Sequence, residues 1–354
     1  MNSEQRVKAI GEFGFTPRQA GFLDIVVRQS GVCLLRQYAT FAGIVQGQKT
    51  RAFFAKLVQR GYAPAHHCRH NRGHVYHLHH HALYRAAGEQ HSRYRRPVSA
   101  TRITARLAVL DALLAARGVT WLCGAEVPDH VASARSDQLA TEIAAENSSF
   151  ADFVCSDTVR MGVDAEGRTV ILCVLMPVAL DDFRNRLGHL VPLLSRLQRW
   201  TLRLVLPREH ATAYDSYQRM VHEEWETPFS DRMLEELNWY FEKRRTLPSG
   251  HSPLPSDPRY EHASLAFDGP RFDRLYRRWL RTGVSALSDA PTRAIGEALT
   301  NGSGRVECLI LKHAYDHLSP VIDTPRCVPV LSSNAAASPP TACSTSLGTE
   351  VGPS

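Results

Sequence analysis

Residues 48–81 read QKTRAFFAKLVQRGYAPAHHCRHNRGHVYHLHHH, and this stretch decides the fold of the first third of the chain. Its first part places phenylalanine, leucine and valine side chains on one stripe, a spacing that predicts one buried face of a helix. Gly61 ends this helix, as glycine commonly does just past a C-terminus. The residues that follow predict a hairpin, with short strands at 63–68 and 74–78 around a turn at 69–73.

Further helices are predicted on both sides of this stretch. Thr16–Gln19 has the sequence of a capping box, so a helix is expected from there to about Gln29. Gly31 interrupts the apolar pattern, and 34–42 predicts a second, short helix. Another short helix, at 80–87, closes the unit. The order is therefore helix, helix, helix and hairpin.

This order, with the ending LVQRGYA…GHVYHL, resembles the winged helix-turn-helix family over residues 16–88. In that family the third helix enters the major groove of DNA, and the hairpin, called the wing, contacts the backbone or the minor groove. The resemblance therefore implies duplex DNA as the partner. The DNA-contacting side chains that it implies are Gln48, Lys49, Thr50, Arg51, Lys56 and Arg60 on the third helix, and Arg69, His70 and Arg72 in the wing.

The charge of the chain is unevenly distributed. The whole chain carries +7, whereas residues 1–110 hold 17 Lys and Arg against 4 acidic residues, which gives 17 − 4 = +13 and leaves −6 for the remainder. A merely solvated surface normally mixes both signs, so this excess suggests that the first third binds a polyanion. The Arg-rich stretch 91–97 continues the positive charge and is interpreted as a linker that could also lie along phosphates.

Eight of the seventeen histidines lie between residues 66 and 81. One interpretation is a zinc site, since zinc binds four nitrogen or sulfur ligands tetrahedrally. The other is a wing whose histidines gain a proton near phosphate. The spacing matches none of the recurrent zinc patterns, so we favour the wing and expect no metal or cofactor. The ligands that a zinc site would use are His66, His67, Cys68, His70 and His74.

The middle of the chain predicts an α/β domain. The order of elements is a winged helix followed by a strand, a hairpin, a long helix and a strand. This order resembles the replication-relaxation family of plasmids and integrative elements. It also resembles the core of restriction-endonuclease-like nucleases. The predicted elements are a helix at 103–117, strands at 119–123, 151–154, 158–163 and 169–176, a helix from 181 that Pro192 should kink, a strand at 201–206 and a helix at 230–245.

A nuclease of this kind needs an acidic residue on one strand and an acid-x-Lys pair on the next, because the carboxylates hold Mg²⁺ and the lysine positions water. Asp152 could supply the first acid, but the next strand, 170–176, has neither acid nor lysine. His222–Glu226 lacks the second histidine of a zinc motif, so it is interpreted as a solvated helix end. We therefore predict a protein that is not an enzyme.

The predicted fold class is mixed α/β: an N-terminal winged helix-turn-helix, a mixed α/β domain and a small C-terminal α/β segment. The last of these contains a basic helix at 271–281 and a strand at 305–312. A Pro/Ser-rich stretch marks the boundary before it, and the end of the chain has a composition that cannot order itself. The predicted ranges are 1–97, 98–246, a linker at 247–260, 261–330 and a disordered tail at 331–354.

The eight cysteines are scattered without a C-x-x-C pair, which indicates buried thiols in a reducing compartment. The longest apolar run, 170–180, is much shorter than the roughly 20 residues of a membrane span, and the first residues lack a signal-peptide core. A cytoplasmic protein without membrane association is expected.

The predicted function is binding of double-stranded DNA, as a transcription regulator or a replication or mobilisation accessory factor of a mobile element. A homodimer is expected, and the C-terminal part could bind a protein partner. Two alternatives stay open: a metal-dependent nuclease acting on the same DNA, and a winged-helix scaffold that binds proteins.

Overall fold

A computed structural model describes residues 1–68, 73–123, 126–134, 156–176, 180–226, 229–246, 257–287 and 290–318. The predicted strand at 151–154, the acid candidate Asp152 and the predicted tail at 331–354 lie outside the described residues. Within the described ranges, none of the helices combines the length and the apolar character that crossing a membrane requires.

The N-terminal part contains the helices and the hairpin that its sequence predicts, together with two elements that were not predicted. The unpredicted elements are a first helix and a two-residue strand between the second and third helices. In chain order the elements are α1 Ser3–Gly11, α2 Pro17–Gln29, β1 Val32–Cys33, α3 Leu35–Ala42, α4 Gln48–Gln59, β2 Ala65–His67, β3 His74–His77 and α5 His81–Ala86.

Local chemistry sets the ends of these helices. The Thr16 hydroxyl accepts from the Gln19 N–H at 3.3 Å, and the Gln19 side chain accepts from the Thr16 N–H at 3.1 Å, so the predicted capping box begins α2. Gly43 follows α3 with a φ of 64°, in the left-handed region that suits glycine. A buried ion pair of 3.1 Å between Arg6 and Asp24 holds α1 against α2.

The small sheet has the strand order β1-β3-β2, with both pairs antiparallel. Val32 lies opposite His77 on one side of β3, and His67 lies opposite His74 on the other. β1 is too short to show the alternation by which a strand is recognised in sequence. Its pairing places the hairpin directly against the segment that connects α2 to α3.

The remaining described elements build a second, larger α/β arrangement. Most of the helices and strands predicted here are confirmed, whereas α7, α9, α11 and α13 were not predicted. The elements are α6 Ala100–Ala115, β4 Val119–Trp121, α7 Glu126–Ser133, β5 Val159–Asp164, β6 Thr169–Val174, α8 Leu180–Leu194, β7 Trp200–Leu206, α9 Tyr214–Val221, a π-helical turn His222–Glu226, α10 Asp231–Thr246, α11 Pro258–Ala266, α12 Pro270–Thr282, α13 Ala290–Asn301 and β8 Gly304–Ile310.

These strands form one sheet in the order β4-β5-β6-β7-β8. The first three are antiparallel to one another, while β6, β7 and β8 run parallel. All six residues of β6 are buried because helices cover both faces of the sheet. α8 packs on one face, and α6 packs on the other. Helices plus two sheets make this a mixed α/β protein, as the sequence predicts.

α6 belongs to two cores at once. Leu110 packs with the side chains of α2 and α4, while Leu107 packs with Leu172 of β6 and Val205 of β7. The helix therefore connects the N-terminal part to the large sheet by burial of apolar area, which is the main favourable contribution to folding.

The turn His222–Glu226 is only in part the solvated helix end that its sequence predicts, because the side chains of Glu223 and Glu226 are 46% and 47% exposed. Trp225 is 1% exposed and packs with the core beneath the sheet. Glu224 forms ion pairs with Arg184 at 3.2 Å and Arg274 at 2.7 Å. The sequence interpretation was wrong for Glu224, because these arginines come from α8 and α12, which are distant along the chain.

Candidate nucleic-acid interface

The position of α4 is set by a cluster of aromatic side chains. Phe53 and Phe54 are 1% exposed and lie on the inner face of α4. The ring centroids of Phe53 and Tyr38 are 4.5 Å apart, and those of Phe54 and Tyr76 are 4.4 Å apart. Such pairs add to the stabilisation that burial provides. The cluster fixes the rotation of α4, and so decides which of its side chains face outward.

The outward face of α4 carries Gln48, Lys49 and Arg51, which are not buried. Ala52 and Ala55 lie near them on the same helix. Side chains this short let a helix backbone approach another surface closely. The first turn of α4 contains no acidic residue, so its N-terminal partial charge adds to that of the cations.

Thr50 was predicted to contact DNA, but it is fully buried. Its hydroxyl accepts a hydrogen bond of 3.0 Å from the Gly47 N–H, an otherwise unpaired donor at the start of α4. Thr50 therefore stabilises the helix terminus, and its hydroxyl does not face the outer surface. In the sequence Thr50 stands between two cations that are exposed. The sequence does not show that the side chain of this third helix residue faces the core.

Lys56 and Arg60 are bound to the loop between α1 and α2. The Lys56 ammonium donates to the Gly14 carbonyl and lies 5.1 Å from the centroid of the Phe15 ring. Arg60 Nη1 donates to the Phe13 carbonyl at 2.6 Å. Both cations therefore hold the polypeptide that precedes α2. Arg60 is exposed and Lys56 is half-buried, so their charge still contributes to the potential of this surface.

A shallow groove runs between the start of α2 and the outer face of α4, lined among others by Arg18, Gln19, Lys49 and Lys56. Arg18 was not among the predicted contact residues, although it is exposed. The sequence shows that Arg18 lies in the first turn of a predicted helix, and this position could have marked it as a further contact residue. Only the packing of α2 against α4 brings it to the side of Lys49, so the cationic surface is wider than α4 alone.

The predicted wing is described only at its base, because Arg69, His70 and Arg72 lie outside the described residues. At the base, His67 and His74 face each other across β2 and β3 with ring centroids 4.2 Å apart. Burial and the neighbouring His67 both lower the pKa of His74. A phosphate close to this pair would favour the protonated form, as an opposite charge does.

His77 has a different role from the other histidines of the cluster. It is 8% exposed, and Nε2 donates to the Tyr94 carbonyl at 3.0 Å, since a carbonyl can only accept. Burial lowers the pKa of His77 to about 4. His77 is thus a neutral structural residue. In the described part of the chain no three His, Cys, Asp or Glu side chains come together as a metal site would require.

The Arg-rich stretch 91–97 was interpreted as a linker that could lie along phosphates, and the structure contradicts this for its central residues. Tyr94 is 8% exposed. The guanidinium carbons of Arg93, Arg106 and Arg160 lie 5.1, 4.9 and 5.3 Å from the centroid of its ring. Arg93 also donates to the Ser156 carbonyl at 2.9 Å. The stretch is anchored because its tyrosine completes a core with residues distant in sequence.

Asp157 is the carboxylate that balances this group of arginines. It forms an ion pair with Arg106 at 3.0 Å and another with Arg102. Burial raises the pKa of Asp157 and the arginines lower it, with Arg106 contributing most of the lowering; the arginines dominate, and the pKa lies below its usual value. The carboxylate next to the start of β5 is therefore occupied by arginines, and β6 carries no acidic side chain.

Comparisons of this chain with protein-family models, with curated proteins and with solved structures found no match.

Proposed function

We propose that this chain binds double-stranded DNA, with α4 in the major groove and the β2–β3 hairpin as a wing beside the backbone. The observation that carries the proposal is the outer face of α4, where Lys49 and Arg51 lie beside alanines in a region with a net charge of +13. Phosphate contacts of this kind supply most of the affinity of proteins for DNA.

The arrangement of the N-terminal part supports the proposal. The strand β1, which lies between α2 and α3, pairs with β3 of the hairpin. The helices α2, α3 and α4 pack around one aromatic core. This arrangement leaves the outer face of α4 open and sets the hairpin beside it, which is how a winged helix meets a duplex.

The large sheet serves in this proposal as a scaffold. Its order of helix, three antiparallel strands, helix and parallel strand, with the additional helix α7 between β4 and β5, supports the resemblance to restriction-endonuclease-like cores. Such a nuclease would hold Mg²⁺ through an acidic side chain on β6. All six residues of β6 are described, and none of them is acidic. We therefore favour a regulator or accessory factor of a mobile element, acting in the cytoplasm, over a nuclease.

The test is a salt-titrated binding assay of the full chain on random duplex DNA and on duplex DNA that flanks its own gene. A Lys49→Ala/Arg51→Ala variant should bind more weakly to both. The slope of log K against log salt should become shallower by up to about 0.9 for each phosphate that the variant no longer neutralises. Preference of the unaltered chain for the flanking DNA would assign sequence-specific regulation.

The matched control is Arg278→Ala/Arg281→Ala, which removes the same charge from two exposed positions on α12. Its affinity and salt slope should stay close to those of the unaltered chain. An equal loss in both variants would show that net charge alone holds the DNA, and an unchanged Lys49→Ala/Arg51→Ala variant would overturn the assignment of α4.

A further inference from the structure

Among the residues that the structure describes, β8 forms one edge of the five-stranded sheet, and its backbone groups on the far side from β7 are directed outward. The Trp200 N–H donates to the Ser303 carbonyl, and the Leu311 N–H donates to the Leu206 carbonyl. In a parallel pair the bonding residues of a strand alternate. The odd-numbered residues of β8 therefore bond to β7. Val306, Cys308 and Ile310 direct their N–H and C=O groups away from the sheet at positions that are not buried, whereas Gly304 at the start of the strand is buried.

Edges of this kind are normally short, charged, interrupted by proline or covered. β8 is seven residues long and contains no proline. Leu309 and Ile310 near its end are 47% and 46% exposed. At the opposite edge, β4 has only three residues. β8 is therefore the edge of this sheet that offers a long template for a further strand.

The charges along β8 are complementary to those of the same strand running in the opposite direction. Arg305 is exposed and forms no ion pair with the described part of the chain. It lies in a positive corner, because Arg305 and Arg199 both add to the effect of burial in lowering the pKa of Arg168. Glu307, two residues further on the same face, has a half-exposed carboxylate paired with Arg203 at 2.6 Å.

We propose that β8 pairs antiparallel with β8 of a second copy of this chain, about a two-fold axis at Val306. In this register Arg305 lies opposite Glu307 of the second copy, and the reverse pair forms by symmetry. Val306 points its backbone groups outward, so it can exchange both hydrogen bonds with its counterpart. The two five-stranded sheets then join into one continuous sheet.

Neighbouring registers are less favourable. An axis at Arg305 places two arginines opposite each other, and an axis at Glu307 places two glutamates opposite each other, which destabilises a strand pair. An axis at Cys308 places Glu307 opposite Leu309. The charges therefore select the axis at Val306. This pairing does not depend on DNA binding, so a negative result for either proposal leaves the other standing.

The first test is the molar mass of the full chain, measured by light scattering over a range of concentrations. Val306→Pro removes an outward N–H and leaves the hydrogen bonds to β7 intact, as proline at a sheet edge does. The unaltered chain and the control Val306→Ala should be dimers, and Val306→Pro should have half their mass. A monomeric unaltered chain, or a Val306→Pro variant that stays dimeric, would overturn the proposal.

The second test decides the case if Val306→Pro fails to fold. Chains with Arg305→Cys and chains with Glu307→Cys are prepared separately and oxidised alone or as an equal mixture. Directly opposed side chains in an antiparallel pair have Cβ atoms about 5 Å apart, so the mixture should give disulfide-linked dimers on a non-reducing gel and neither variant alone should. The unaltered chain, oxidised in the same way, shows how much cross-linking its native cysteines give. Cross-linking of a single variant above that level would place the axis elsewhere, and a mixture that does not exceed that level would exclude the pairing.

Discussion

The cations of α4 and the arginines around Asp157 carry the same charge in opposite surroundings. Lys49 and Arg51 lie on an open face of α4 whose first turn has no acidic residue. Arg106 and Arg160 are buried, and Arg160 donates to the Gln29 carbonyl through both Nε and Nη2. The positive charge of the protein is therefore the sum of two populations. One is available to a polyanion, and the other holds the protein together.

The difference teaches that net charge by itself does not locate a binding surface. Moving an arginine from water into a protein interior is costly unless its charge and its donors are satisfied. Asp157 balances the charge of Arg106, whose guanidinium lies over the face of Tyr94, although Nη1 of Arg106 is buried without a hydrogen-bond partner among the described residues. Lys49 has no such partner among the described residues, and its exposed ammonium stays hydrated. Substitutions at Asp157, His77 and Thr50 test whether buried polar groups stabilise the fold without taking part in DNA binding.

The largest effect is expected for Asp157→Ala. This change leaves Arg106 buried with an uncompensated charge and removes a partner of half-exposed Arg102. Breaking a buried pair typically costs 3–5 kcal/mol, and the exposure of Arg102 places the expected loss near the lower end, at about 3 kcal/mol. Urea denaturation of the full chain measures it. Asp129→Ala, at an exposed aspartate, is the control and should change the free energy of unfolding by less than about 0.5 kcal/mol.

Asp157→Ala should also leave the salt slope of DNA binding unchanged under conditions where the variant is folded. An altered slope with unaltered stability would place these arginines in contact with DNA. That outcome would break the distinction between the two populations.

A second effect concerns acid stability. The unfolded chain protonates His77 at its ordinary pKa of 6.5, whereas the folded chain does so only at about 4. The unfolded state therefore binds more protons between these values, so the stability contribution is complete above pH 6.5 and decreases as the pH falls towards 4. At about 1.4 kcal/mol per pKa unit the loss amounts to about 3 kcal/mol.

Urea denaturation at several pH values checks this, with His77→Gln as the variant. Glutamine can still donate to the Tyr94 carbonyl but takes up no proton, so the decrease in stability between pH 6.5 and 4 should be smaller than in the unaltered chain. The control is His262→Gln, at an exposed position on α11, which should leave the decrease in stability as it is in the unaltered chain. An identical curve for His77→Gln would contradict the structural role of His77.

The smallest effect is expected for Thr50→Val. Loss of the hydrogen bond to the Gly47 N–H at the start of α4 should lower the free energy of unfolding by about 1 kcal/mol. Thr50→Ser keeps the hydroxyl and should lose less. DNA affinity, measured well below the melting temperature, should be the same for both variants. If Thr50→Val lost as much DNA affinity as Lys49→Ala/Arg51→Ala, Thr50 would have to be interpreted as a DNA-contacting residue.

Much of the fold was predictable because its signals are local. The capping box at Thr16–Gln19, the glycines after α3 and α4, and the apolar periodicity of α2, α4 and α8 depend on residues within a few positions of one another. β1 escaped prediction for the opposite reason, because it exists only through its pairing with β3. α1 was missed although its signal is local, since Asn2 and Gln5 form a capping box with both hydrogen bonds at 2.9 Å.

The same division applies to the candidate site. The sequence of this protein by itself determined its α/β class, its hairpin and the concentration of cations in its first third, since these follow from composition and short-range patterns. Only the tertiary structure decided which cations are free. In the structure Thr50 is buried, three arginines surround the ring of Tyr94, and Arg18 lies beside Lys49. These arrangements were not predictable because burial and pairing bring together residues that are far apart along the chain.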